Sequence, residues 1–145
     1  MTGQADSGKA RLYVGCSLSH ASEQFKLNVE ALKVALRQQG YDVFDFVGLV
    51  KGTARDVYEW DLGHCIAECD AFIAICDEPS TGLGYELCRA VALGKPVLAL
   101  AHVDAKITRM LLGAAEVEPN LRFERYQDLT TDVPAMVAQL ELRGV

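Results

Sequence analysis

Much of what this sequence lacks narrows what it can be. No apolar run approaches the roughly 20 residues of a transmembrane helix, so no membrane partner is expected. No charged-then-apolar signal segment opens the chain, and the expected location is the cytoplasm. There is no basic excess: 14 Lys and Arg stand against 20 Asp and Glu, for a net charge of −6. A nucleic-acid polymer is therefore not an expected partner, since binding one usually takes a basic face. A nucleotide-sized ligand stays open, because one local site can hold it. Internal repeats and low-complexity segments are also missing.

Cysteine is present but forms no framework. Cys16, Cys65, Cys69, Cys76 and Cys88 are odd in number, and each falls in or beside an expected strand or helix. That fits small buried apolar residues in a reducing compartment better than disulfides. His64, Cys65 and Cys69 have no second ligand pair at zinc spacing, so core packing is their expected role. No metal or cofactor is expected. A chain of 145 residues, 50% hydrophobic and 23% charged, suits one soluble domain with a real core. That domain should run from residue 10 to 145, after a loose, disordered tail over residues 1–9.

Strand and helix signals alternate along it. Arg11 to Cys16 reads as strand one. Ser22 is a plausible N-cap for a helix whose apolar residues recur at Phe25, Val29, Leu32 and Leu36, ended by Gly40. Tyr41 to Phe46 reads as strand two and Val47 to Arg55 as a mobile loop. Asp56 is expected to cap a helix to about Glu68. Ala71 to Cys76 is strand three, Tyr85 to Leu93 a helix, Val97 to Ala101 strand four. Asp104 could cap a helix through Leu112, Arg122 to Tyr126 is a short fifth strand, and a last helix spans about Thr131 to Leu142. Such alternation predicts an α/β fold: a mostly parallel five-stranded sheet with helices on both faces.

The junction after strand three carries the strongest chemical signal. Asp77-Glu78-Pro79-Ser80-Thr81-Gly82-Leu83-Gly84-Tyr85-Glu86-Leu87 lies where open α/β sheets bind ligands, beyond the carboxyl ends of the strands. Gly82 and Gly84 would let backbone approach a ligand, free N–H groups at the helix start would favour an anion, and Glu86 would bring a carboxylate to the first turn. Taken alone, Glu86 could simply complement the helix dipole. Asp61 is a second carboxylate, and two flanking a glycosidic bond can divide the labour; in isolation it reads as a solvated helix charge. Tyr13 and Ser17 sit at the carboxyl end of strand one, on the same sheet edge. His20 and His102 lie there too, with no serine or cysteine nucleophile evidently paired to either. Gly82-Leu83-Gly84 lacks the third glycine of a dinucleotide fingerprint.

Three segments resemble the nucleoside 2-deoxyribosyltransferase family, and within it the 2′-deoxynucleoside 5′-phosphate N-hydrolase branch. They are Pro79 to Ala90, Tyr13-Val14-Gly15-Cys16-Ser17-Leu18, and Met110-Leu111-Leu112-Gly113-Ala114-Ala115. The resemblance covers about Arg11 to Leu140. It implies a flavodoxin-like (Rossmann-like) three-layer sandwich, a homodimer or larger homo-oligomer, and cleavage of an N-glycosidic bond in a nucleoside or nucleotide. It implies Glu86 as nucleophile, Tyr13 as the residue orienting it, and Asp61 as partner of the base. It further implies substrate contacts from Ser17, Leu18, Ser19, His20, Ser80, Gly82 and Gly84, with Thr108 lent by a neighbouring subunit. Two departures from the family pattern stand out. Ser19 replaces an arginine that grips the 5′-phosphate, and the gap from Asp61 to Asp70 is one residue longer. One residue turns a helix position by about 100°, so Asp61 reaches the site only if its helix adjusts. Base exchange and a non-catalytic nucleotide sensor remain the rival readings.

Overall fold

The computed structural model describes residues 8–45 and 52–142. Its order is β1 (Arg11–Cys16), α1 (Glu23–Gln38), β2 (Asp42–Val43), α2 (Ala54–Trp60) running into a π turn (Asp61–Ile66), β3 (Ala71–Ile75), α3 (Thr81–Ala92), β4 (Val97–His102), α4 (Arg109–Val117), β5 (Leu121–Tyr126) and α5 (Leu129–Ala138). The five strands form one sheet in the order β2-β1-β3-β4-β5, every pair parallel. This is the flavodoxin-like order, whose switch point lies between β1 and β3. The expected α/β sandwich is what forms.

Alternation along the strands sorts two cores. Leu12, Val14 and Cys16 of β1 and Ile73 and Ile75 of β3 meet Val29, Leu32 and Leu36 of α1 and Val133 and Val137 of α5. On the other face Tyr13, Phe72, Ala74 and Ala99 meet Leu62, Cys65 and Ile66 of the π turn, Leu83 and Ala90 of α3 and Leu111 of α4. The second face carries the candidate site. Gly15 lets α3 settle there: a Cβ at Gly15 would sit 2.8 Å from Phe72 Cε2 and 3.3 Å from Leu83 Cδ1.

Several boundaries differ from the expectation, each for a local reason. Helix α3 starts at Thr81, four residues before Tyr85, because Ser80 is its N-cap and accepts from Leu83 N. Gly82 and Gly84 are therefore helical, neither with positive φ, and Glu86 stands in the second turn. Thr53, not Asp56, caps α2; Asp56 is the reciprocal member of a capping box, returning a bond to Thr53 N–H. Thr108, not Asp104, caps α4, which runs on to Val117. Described pairing in β2 is only Asp42–Val43; Phe46 and most of the expected loop, residues 47–51, fall outside the described residues. Cys16, Cys65 and Cys69 are buried as expected, while Cys88 is exposed on α3.

Candidate active site

At the β1/β3 switch point three polar side chains converge on the second face. Tyr13 comes up from β1, fully buried, its ring stacked on Phe72 at 5.4 Å between centroids. Glu86 comes down from α3 and is only 8% exposed. Asp61 arrives from the π turn, about half buried. Burial pushes the Glu86 carboxyl up to about 7, hydrogen bonding by Tyr13 draws it back, and Asp61 adds to the rise. Asp61 is raised by burial and lowered by hydrogen bonding from Tyr13. Burial, and then the Glu86 charge, raise the Tyr13 phenol, which stays protonated and a donor. Among the described residues no hydrogen bond reaches Glu86 Oε2.

This is a poised arrangement. An orphaned buried carboxylate oxygen needs an explanation, and two carboxylates with raised pKa values around one phenol mark a site built for chemistry. The buried thiols are not rival nucleophiles. Burial lifts Cys16 and Cys65 to about 12 and Cys69 to about 11, so each stays a thiol. Cys65 and Cys69 are core residues, as expected, and the His64 ring stacks on Trp60 at 4.4 Å.

The remaining candidates divide. Ser17, just past β1, is 3% exposed, and Leu18 packs against the first core. Ser19 and His20 are exposed in the same loop. Ser80 caps α3, one turn before the turn that carries Glu86, with its hydroxyl already accepting from Leu83 N at 3.2 Å. Gly82 and Gly84 are exposed on α3. Thr108 lies beyond β4, exposed, and no described contact joins it to Glu86, Asp61 or Tyr13. His102 ends β4.

One residue escaped the sequence reading as a functional group. Asp77 accepts from His102 N at 2.9 Å through Oδ1 and from the Tyr126 hydroxyl at 2.5 Å through Oδ2. It ties the ends of β4 and β5 to the segment leading into Ser80. Its signal was present: an acid directly after a buried strand, where strand-end amides need acceptors.

The family model for nucleoside 2-deoxyribosyltransferase matches residues 12–137. The chain belongs to this family. Among relatives, a protein of Thermofilum pendens named as a candidate 2′-deoxynucleoside 5′-phosphate N-hydrolase is 31% identical over 122 residues, 78% of this chain and 83% of that protein. A like-named protein of Methanosarcina barkeri is 44% identical over 61 residues, 42% of this chain and 38% of the relative. The chain thus spans under half of the Methanosarcina proteins it matches. Nucleoside 2-deoxyribosyltransferase folds also appear among solved structures. A 2-deoxyribosyltransferase of Bacillus psychrosaccharolyticus superposes with TM-score 0.63 at 26% identity, over 92% of this chain and 98% of that one. A CMP N-glycosidase of Clostridium botulinum shares the fold, with TM-score 0.67 at 22% identity over 88% and 98% of the two chains.

Proposed function

We propose that this protein cleaves the N-glycosidic bond of a nucleoside or nucleoside 5′-monophosphate and releases free base. The observation that carries this reading is Glu86: a buried carboxylate with an unbonded oxygen, beside Tyr13 and Asp61 at the switch point. As the bond from anomeric carbon to base nitrogen breaks, positive charge grows on the sugar. The ionised Glu86 stabilises that charge and forms an ester with the anomeric carbon. Tyr13 donates to the carboxylate and fixes its aim. Asp61, whose carboxyl burial pushes above the ordinary aspartate value, is placed to give the departing base its proton. Asp61, now ionised, then takes a proton from water as the water oxygen bonds to the anomeric carbon; the bond from that carbon to the Glu86 oxygen breaks, regenerating the carboxylate.

The relatives named as nucleotide hydrolases support a 5′-monophosphate substrate. The exposed Ser19 and His20 offer hydrogen bonds in the first loop, but no guanidinium fork stands there to grip a phosphate. A panel of nucleosides and 5′-monophosphates, assayed by chromatography of free base with and without an acceptor base, tests the reading. Base released without acceptor supports hydrolysis. A product formed only with acceptor means base exchange. Binding with no turnover means a sensor.

We also propose a homo-oligomer formed through α3 and α4. Met110 is 81% exposed, Val117 77% and Tyr85 63%, large apolar side chains suited to burial against a second copy. Thr108 lies at the start of that helix, where it could reach a neighbour's site. Sedimentation of the protein and of Met110→Glu tests this, a monomeric parent refuting it. No described helix is long and apolar enough to cross a membrane, and free thiols at all five cysteines fit the cytoplasm.

A further inference from the structure

Asp61 does not reach the crevice from an unbroken α-helix. It opens the π turn Asp61–Ile66, set between α2 and the helix end at Glu68. Bonds in such a turn run from residue i to i+5, so it takes in one residue more than an α turn. Both ends of this helix are fixed independently. At the start, Thr53 and Asp56 form the reciprocal capping box. At the finish, Asp70 Oδ2 accepts from Arg11 N at 2.7 Å, and Asp70 N donates to Arg11 O at 2.7 Å. Between them Leu62, Cys65 and Ile66 are buried against the sheet and cannot turn outward without exposing core surface. In α geometry one surplus residue would rotate everything before it by about 100° and carry Asp61 off the crevice side. Gly63 is the member of the turn with least to hold it: it is exposed, and a Cβ there meets nothing within 4 Å.

We infer that the π turn absorbs a one-residue surplus at Gly63 and so keeps Asp61 in register with Glu86 and Tyr13. The inference rests on the reading of these carboxylates as the working groups. It makes Gly63 dispensable and the residue count before it critical. Deleting Gly63 closes the wide turn into an α turn, with Asp61 still facing the crevice. Adding one more residue exceeds what a single π turn can take in, and turns Asp61 away.

Two variants decide it, deletion of Gly63 and insertion of one alanine after Gly63. Each is assayed for base release and for the titration of the Asp61 carboxyl carbon by NMR. The deletion variant is expected to fold, to keep wild-type activity and to keep the raised Asp61 titration. The insertion variant is expected to fall to the activity of Asp61→Asn, to lose nothing more when that substitution is added, and to show Asp61 titrating as an ordinary carboxylate. A deletion variant that fails to fold, or that returns Asp61 to ordinary titration, overturns the inference. So does an insertion variant that keeps both readouts, and if the insertion does not fold the deletion decides alone. Should the wild type release no base from any substrate, the functional reading falls, while the titration still tests the register.

Discussion

Tyr13 and Glu86 face each other across the sheet-to-helix boundary; burial raises both, and each then shifts the other's protonation. The Glu86 charge helps to hold the phenol protonated, and the phenol's hydrogen bond stabilises that charge against burial. The pair is asymmetric. Burial is the largest influence on both, so Glu86 stays near half-ionised around neutral pH instead of fully charged.

A pH dependence follows with a definite sign. On a substrate whose base departs without a proton, only the proposed nucleophile Glu86 must change state, so kcat/KM should rise with pH along an acid limb centred at about 7. Tyr13 lowers the Glu86 pKa, so Tyr13→Phe should move that limb to higher pH as well as reduce the maximum. A limb that stays in place, measured on the same substrate, would show that Glu86 is not the group being titrated.

Stability should depend on Glu86 in the opposite direction to activity. Its carboxyl binds a proton more tightly in the fold, at about 7, than at the ordinary value of 4.5. That contribution is fully present below 4.5 and is lost as pH rises through about 7. Glu86→Gln removes the charge, so it should stabilise the protein by about 2–3 kcal/mol above the folded pKa and by little in acid. Denaturant unfolding at pH 4 and pH 8 checks this (~0 against a clear gain). The same variant should lose base release by about a thousandfold or more, as removal of a nucleophile does.

Asp61 should matter according to the leaving group. Replacing a general acid typically costs about 10²–10⁴ in rate, so Asp61→Asn should fall in that range for a poorly leaving base. The loss should shrink for a base that departs well without a proton. Equal losses across a leaving-group series would assign Asp61 to binding instead of proton transfer.

The strands were legible because apolar runs such as Ala71 to Ile75 are buried on both faces and admit little else. The carboxyl-edge location of Tyr13, Ser17 and Glu86 followed from that alternation and from the junction's composition. Helix starts were harder to read. Ser80 and Thr53 both carry hydroxyls that cap, but Tyr85 and Asp56 looked the better starts until tertiary packing chose. The π turn was out of reach, because a wide turn leaves no compositional mark; only the count from Asp61 to Asp70 hinted at it. Asp77 was missed for a different reason: its partners, His102 and Tyr126, are 25 and 49 residues away.

Gly15 offers a test of how tightly the site depends on the packing beneath it. Alanine there would place a methyl 2.8 Å from Phe72 Cε2 and 3.3 Å from Leu83 Cδ1. Phe72 is fully buried and stacked on Tyr13; Leu83 sits one helical turn before Glu86. Relief of the clash must therefore push the ring under Tyr13, or lift α3 and Glu86 with it. Overpacking of this kind costs about 1–3 kcal/mol, which a domain of this size can survive. Gly15→Ala should fold, melt lower, and lose activity well below its melting temperature, because displacement by a fraction of an ångström separates the phenol from the carboxylate. If activity at low temperature matches wild type while stability falls, the Tyr13–Glu86 distance is not what sets the rate.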